Sequence, residues 1–271
     1  MAFERAKAAL TGTRFADLRW VPTTGSTNAD MVGLLAADRS DEAGDGPIVL
    51  LTDHQSAGRG RLDRTWEAPA GASILMTIGM SVDQVPMERR TLLTAALAAS
   101  VTDAAPDLRI KWPNDLVAVG SGTDGGDRKV GGILAEVHAV AGRGDCVLLG
   151  LGLNVNWPTI PDELEGIATA LNLLLDGDVD RDVLVTDLLV ALDSRWLPLL
   201  GEGTPSTDEF LSAYRARSAT LGRRVRVELP GGDLLGTAAD IDASGALVVL
   251  DDDGGRRTLT VGDVVHLRAA D

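Results

Sequence analysis

The spacing of apolar positions changes along the chain and divides it into two regimes. In the first, short continuous apolar runs alternate with longer stretches of helical period. A brief amphipathic start leads to Trp20 and Val21, then to the polar run Thr23, Thr24, Gly25, Ser26, Thr27, Asn28, and then to an apolar-periodic segment from Ala29 to Ala37. That order predicts a strand, a loop ending in a helix N-cap, and a helix. Pro47 to Leu51 and Ala72 to Met80 are bounded by Gly, Pro or charged clusters and predict buried strands. Leucines and alanines recur at helical spacing from Glu88 to Ala105, and Leu108 to Trp112, Val130 to His138 and Asp145 to Val155 predict further strands. Gly120 to Asp127 contains only Gly, Ser, Thr and Asp, which predicts a solvated loop tip. Leu184, Leu188, Leu192 and Trp196 mark the apolar stripe of one helix, and Phe210, Leu211 and Tyr214 lie on another.

Beyond Ser218 the period shortens. Val225 with Val227, Leu234 to Ile241, Ala246 to Leu250, Thr258 to Val261 and Val264 to Leu267 are separated by turn signals at Pro230 to Gly232, Ser244 to Gly245 and Gly254 to Gly255. This predicts five short strands in a small closed barrel. The expected division is therefore an α+β domain over 1–217 and a small β domain over 218–271.

Composition narrows the function classes. The 271 residues, 45% hydrophobic, suffice for one large core and a small second domain. A formal net charge of -15 repels phosphate backbones and anionic lipid surfaces, so neither a nucleic-acid partner nor a membrane is expected. Cys146 is the only cysteine, which excludes an intrachain disulfide and a multi-thiolate metal site and fits a reducing cytoplasm. Glu4, Arg5 and Lys7 interrupt what would be the apolar part of a signal peptide, and no uninterrupted apolar run reaches transmembrane length. His54, His138 and His266 lie far apart without ligand spacing, so no protein-held metal is expected.

Three segments carry candidate chemistry. Asp53 to Trp66 places Arg59, Arg61 and Arg64 in one loop with Gly58 and Gly60. Glycine permits close backbone approach and positive φ, and guanidinium groups offer planar, permanently charged donors to carboxylate and phosphate oxygens. Such a loop suits an anion. It is no dinucleotide fingerprint, because Asp63 stands at the third glycine position, and the chain has no P-loop. By itself the Gly/Arg pair also reads as a solvated basic turn. Lys111 to Leu116 runs a strand into a turn favoured by Pro113 and Asn114, and alone it reads as an Asx-type turn beside a lysine. Arg128 to Glu136 opens a strand with Lys129 and removes side-chain bulk at Gly131 and Gly132; singly it reads as a strand edge with a solvated lysine.

In combination these segments resemble the biotin protein ligase family, the group that includes the bacterial biotin operon repressors. The resembling motifs are Ser26-Thr27-Asn28, Gln55 to Trp66 with its Gly58-Arg59-Gly60-Arg61 core, Lys111 to Leu116, Lys129 to Glu136, and Gly150 to Asn154. They span most of the first 160 residues in family order. The resemblance implies a mixed β-sheet with helices largely on one side, related to class II tRNA synthetases, followed by an SH3-like barrel. It implies an ATP-dependent ligase that makes biotinyl-5'-AMP, releases pyrophosphate and transfers biotin to a lysine of a biotin carboxyl carrier domain, with Mg2+ accompanying the nucleotide.

By the same resemblance Ser26, Thr27, Asn28 and Gln55 contact the biotin ring system, within a pocket completed by Gly58, Arg59, Gly60, Arg61, Trp66, Lys129 and Gly132. Hydroxyl and amide groups match a ureido group's donors and acceptor, although Ser26 or Thr27 also serves as a simple N-cap. Trp66 doubles as a core tryptophan. Lys129 is implied to bridge the biotin carboxylate and the adenylate phosphate, while Arg59, Arg61, Arg64, Lys111, Asn114 and Asn154 face the nucleotide. The loop from Ala57 to Arg64 is expected to close over the anhydride with Arg59 as latch, and Asp115 to orient or deprotonate the carrier lysine. The segment before Thr23 is too short for the helix-turn-helix domain of bifunctional members, so a monofunctional enzyme is expected. Three rival readings remain: a lipoate or octanoyl ligase with a long apolar slot, an anion- or nucleic-acid-binding module using the three loop arginines, and a transcription regulator.

Overall fold

A computed structural model describes residues 2–37, 46–62, 64–83, 85–122, 125–201, 207–229, 231–260 and 262–266. Asp63, residues 123–124 of the Gly/Asp tract, Pro230, Val261 and Leu267 lie outside the described residues. The elements of the first unit are α1 (Glu4–Ala9), β1 (Asp17–Val21), α2 (Thr27–Ala37), β2 (Ile48–Thr52), β3 (Ser73–Ser81), α3 (Leu92–Ala104), β4 (Arg109–Lys111), β5 (Asp115–Ala118), β6 (Arg128–Val140), β7 (Gly144–Asn154), α4 (Leu171–Leu175), α5 (Arg181–Ala191) and α6 (Asp208–Ala216). Among the described residues β1 to β7 form a seven-stranded mixed sheet in the order β1-β2-β3-β7-β6-β5-β4. Only β1 and β2 pair in parallel; the other neighbours are antiparallel.

Alternation along the strands decides which face carries which cargo. On β2, Val49 and Leu51 enter the main core with Ile74, Met76 and Ile78 of β3 and Leu149 and Leu151 of β7. Ala6 of α1, Leu92 and Leu97 of α3 and Leu184 and Leu188 of α5 cover that face. The intervening Ile48 and Leu50 join Met31 and Leu35 of α2 with Cys146 and Leu148 of β7 in a second cluster. The helices thus gather largely on one side, as expected, and α2 is the exception that leaves the opposite face open beside it.

Two local departures from the sequence expectation have physical causes. The stripe Leu184, Leu188, Leu192, Trp196 is buried throughout, yet α5 stops at Ala191 and a single π-type turn carries Leu192–Trp196. Asp115 and Leu116, read as part of a turn, open β5 (Asp115–Ala118), whose backbone bonds both β4 and β6 and so needs no long apolar run to declare it.

The second sheet comprises β8 (Arg224–Glu228), β9 (Leu234–Ile241), β10 (Leu247–Asp251), β11 (Arg256–Leu259) and β12 (Asp263–His266), antiparallel in the order β11-β10-β9-β8-β12. β11 and β12 are its edges and do not pair with each other among the described residues. Val225, Val227, Ala238 and Leu247 share the main core with the first unit, and Ala219 N donates to Ile110 O at 2.7 Å. This seam brings β12 to the mouth of the open face. No helix among the described residues is long and apolar enough to cross a membrane.

Candidate active site

The open face beside α2 holds a cleft of about 460 Å³. Its floor includes glycines whose missing side chains let the Asn28 amide and the Trp66 indole lie directly against the strands. A Cβ on Gly150 would stand 2.4 Å from Asn28 Oδ1, and one on Gly152 would stand 2.4 Å from the Trp66 ring. Both positions, with Gly132 opposite Gly152 on β6, lie on the face that α2 covers further along.

One end of the cleft is polar. Ser26, Thr27 and Asn28 are 6%, 3% and 4% exposed, too buried for a helix start that merely faces water. The Ser26 carbonyl accepts from Asp30 N at 3.0 Å, which satisfies the cap reading, but the side chains of Thr27 and Asn28 turn inward. Gln55 Oε1 accepts from Thr27 N at 2.8 Å and from its hydroxyl at 3.1 Å. The Thr77 hydroxyl lies 2.8 Å from that of Thr27 and donates to Asn28 Oδ1 at 2.6 Å.

The Gly/Arg loop folds as a hairpin over this face. Trp66 N donates to Gly58 O at 2.9 Å and Gly60 N to Arg64 O at 2.7 Å. Gly58 is required by contact with its own hairpin, since a Cβ there would be 2.3 Å from the Trp66 carbonyl oxygen. The positive φ expected of the loop glycines falls instead on Leu62, at 54°, exposed at the tip. Gly58 does not line the cleft, whereas Arg59, Gly60, Arg61, Arg64 and Trp66 do.

Lys129 reaches the cleft because β6 is irregular. Leu116 pairs with Gly131 and Val117 with Lys129, so Val130 is an extra residue on its strand. Strict alternation would point Lys129 into the main core with Ile133; the bulge sends Val130 there instead and returns Lys129 to the face of Gly132. Its ammonium stands 2.6 Å from Asp115 Oδ1 and 5.6 Å from the Trp66 ring centre.

Each of the four cations that line the cleft faces a carboxylate. Arg59 Nη2 is 2.9 Å from Glu136, Arg61 Nη1 is 3.8 Å and Arg64 Nη2 2.5 Å from Asp263, and Lys129 meets Asp115. Arg61 also donates to Asn114 Oδ1 at 3.1 Å, while Asn114 Nδ2 donates to Ile133 O at 2.8 Å. Asn114 therefore keeps its turn-forming role and adds a cleft-facing one. Of the buried side-chain polar atoms without a hydrogen-bond partner among the described residues, two belong to residues that line the cleft, Trp66 Nε1 and Asn154 Oδ1, although Asn154 Nδ2 donates to Thr169 O. An unsatisfied buried group costs about 1–3 kcal/mol, so both mark places where a ligand would bond.

Lys111 is not brought into the cleft. It lies on β4 near His266, and its charge adds to the effect of burial in depressing the imidazole to about 4. His266 Nδ1 is 3.0 Å from Asp127 Oδ2, and Arg223 pairs with the same carboxylate at 2.7 Å. Burial works to raise Asp127, but the Gly120 N–H, His266 and Arg223 outweigh it and hold it below the usual carboxylate range. The tract from Gly120 to Asp127 is thus anchored to the second sheet at its end. Sequence reading missed Asp263, Glu136 as a partner of Arg59, and Thr77, since none stands out by local pattern.

Comparison with known proteins agrees with this architecture. Residues 21–154 match the model of the Biotin/lipoate A/B protein ligase family, and residues 220–267 match that of the Biotin protein ligase C terminal domain. A biotin--[acetyl-CoA-carboxylase] ligase of Mycobacterium tuberculosis is 40% identical over 95% of this chain and 91% of its own length. The bifunctional ligase/repressor BirA of Bacillus spizizenii is 30% identical over 79% of this chain and 65% of its own. In fold, the Aquifex aeolicus biotin protein ligase solved with biotin and ATP aligns over 94% of this chain and all of its own, with a TM-score of 0.75 at 23% identity. The family models and the 40% identical relative place the molecule in the class of biotin and lipoate protein ligases. The chain belongs to the biotin protein ligase family.

Proposed function

We propose that the protein joins biotin to ATP, forming biotinyl-5'-AMP and pyrophosphate, and then passes the biotinyl group to a lysine of a biotin carboxyl carrier domain. The observation that carries this reading is the convergence of Arg59, Arg61, Arg64 and Lys129 on one glycine-floored cleft with a polar end and an indole wall. The chemistry needs such a set. A carboxylate attacking an α-phosphate brings two anions together, and at about 4 Å with an effective dielectric near 20 they repel by about 4 kcal/mol. Fixed cations offset that repulsion without reorganising during the reaction.

Lys129 is assigned to the junction of carboxylate and α-phosphate, where the bulge presents it beside Gly132 and Trp66. Ser26, Thr27, Asn28 and Gln55 form the biotin end. Because Thr27 and Asn28 are already committed to Gln55 and Thr77, they fix the shape of that end as much as they bond a ligand. Arg61, Arg64 and Asn114 are assigned to the phosphates and Asn154 Oδ1 to a donor on the nucleotide. Lys111 is assigned a share in phosphate binding only if it leaves its place near His266.

Among the described residues no group of three or more His, Cys, Asp or Glu side chains could hold a metal ion, so Mg2+ is proposed to arrive on the triphosphate. There it supplies neutralising charge for the departing pyrophosphate. In the second half-reaction the carrier amine loses its proton toward Asp115, forms the amide and breaks the acyl–phosphate bond, leaving AMP.

We further propose a cytoplasmic location, no nucleic-acid partner and a division of the chain at 217/218. These rest on the single buried Cys146, the net charge of -15 and the start of the second sheet at Arg224. The test is incubation with biotin, ATP, Mg2+ and a carrier domain, followed by blotting for biotin. Biotin label on the carrier's lysine that requires ATP, with no lipoyl mass shift of the carrier when lipoate replaces biotin, is the expected result. An unlabelled carrier contradicts the proposal.

A further inference from the structure

We propose that Glu136 is the positioning residue that ties Arg59, and with it the leading arm of the hairpin, to the sheet, and so sets how long the activated acid stays enclosed. The inference rests on the function proposed above. Glu136 sits on β6 opposite Leu148, on the same face as Gly132, but does not line the cleft. A glutamate on a strand face ordinarily needs no partner. Here the side chain is 23% exposed, and one oxygen, Oε2, takes two donors from different elements: Asn28 Nδ2 at 2.6 Å and Arg59 Nη2 at 2.9 Å.

Those bonds complete a chain. Gln55 holds Thr27, Thr27 meets Thr77, Thr77 donates to Asn28, Asn28 donates to Glu136, and Glu136 receives Arg59. Both ends of the chain belong to the same loop, because Gln55 precedes Gly58 and Arg59 follows it. The loop is therefore pinned at its base through Gln55 and on its leading arm through Glu136, by way of the side chains of the polar end of the cleft. Arg61, next to the tip, and Arg64, on the trailing arm, have separate ties, to Asn114 and Asp263. Glu136 is the tie that couples the leading arm to Thr27 and Asn28, the residues assigned to biotin.

Glu136→Gln separates the two bonds, since the amide oxygen still accepts from Asn28 while the charge facing Arg59 is gone. Two readouts follow. Limited trypsinolysis of the unliganded protein should cut at the hairpin arginines faster in the variant than in the wild type. Release of free adenylate in a single turnover with biotin, ATP and Mg2+ should rise by about threefold to fivefold, the scale of a half-exposed ion pair. The KM for biotin should stay within about twofold, because the Asn28 bond is kept. In an Arg59→Ala background the same substitution should add nothing to either readout, which a general loosening of the fold would not reproduce. Unchanged trypsin cutting and unchanged release, or an equal further increase in the Arg59→Ala background, overturns the proposal. Failure of the wild-type chain to make any adenylate contradicts the proposed function and leaves the tether to be decided by the trypsin arm.

Discussion

Gly152 offers a direct probe of the cleft floor. An alanine Cβ at this position would lie 2.4, 2.7 and 2.8 Å from three atoms of the Trp66 indole. Ordinary carbon contacts are about 3.5–4.0 Å, so the ring has to retreat by about 1 Å. It cannot retreat into β7, and its backbone is held by the Trp66 N to Gly58 O bond at 2.9 Å, so the indole swings toward the cavity that biotin is proposed to fill. Overpacking of this kind costs about 1–3 kcal/mol, and each 1.4 kcal/mol is tenfold in affinity. Biotin affinity should therefore fall by about fivefold to a hundredfold, measured by titration calorimetry, while the melting temperature falls little because the strain is relieved into empty space. Biotin binding within twofold of wild type at an unchanged melting temperature would refute the account of the floor.

Two further outcomes test other parts of the structure. Gly33 lies within α2 with nothing within 4 Å of a Cβ, so Gly33→Ala should stabilise by about 0.5–1 kcal/mol and raise the melting temperature by about 1–4 °C in calorimetry; a lower melting temperature contradicts the packing described for α2. His266 is depressed from 6.5 to about 4, so below pH 6.5 the unfolded chain takes up a proton that the folded imidazole refuses. The stability it contributes is complete above about 6.5 and is lost as pH falls toward 4, on the order of 1–3 kcal/mol. Denaturation of wild type and His266→Gln across that range should give converging curves as the pH drops, and parallel curves would show that the seam is not proton-linked.

What could be read from the sequence, and what could not, follows from the range over which each signal acts. The strands and helices of the first unit declare themselves by period, and the Gly/Arg hairpin and Lys129 by residue types that suit anions. β5 did not, because four residues bonded on both edges need no distinctive alternation. The bulge at Val130 was equally silent: its effect is to reverse which face Lys129 occupies, and nothing in the order Lys129-Val130-Gly131 states it. Asp263 lies some 200 positions from the arginines it meets, and only the packing of the second sheet against the first brings it there. Thr77 reads as one more residue of a buried apolar strand until its hydroxyl is seen against Asn28. Lys111 shows the opposite case: the resemblance assigns it to the nucleotide, while its strand sets it near His266 and outside the lining of the cleft.

The measurement that bears most directly on the central claim is biotin-dependent exchange between ATP and pyrophosphate, compared in the wild-type chain and in Lys129→Met. If the cleft activates biotin through a fixed ammonium, the wild type exchanges only when biotin is present, and the variant loses the activity by about a hundredfold or more, the scale of removing one pre-organised charge from a developing anion. Exchange indifferent to biotin, or a variant that exchanges as fast as the wild type, would contradict it.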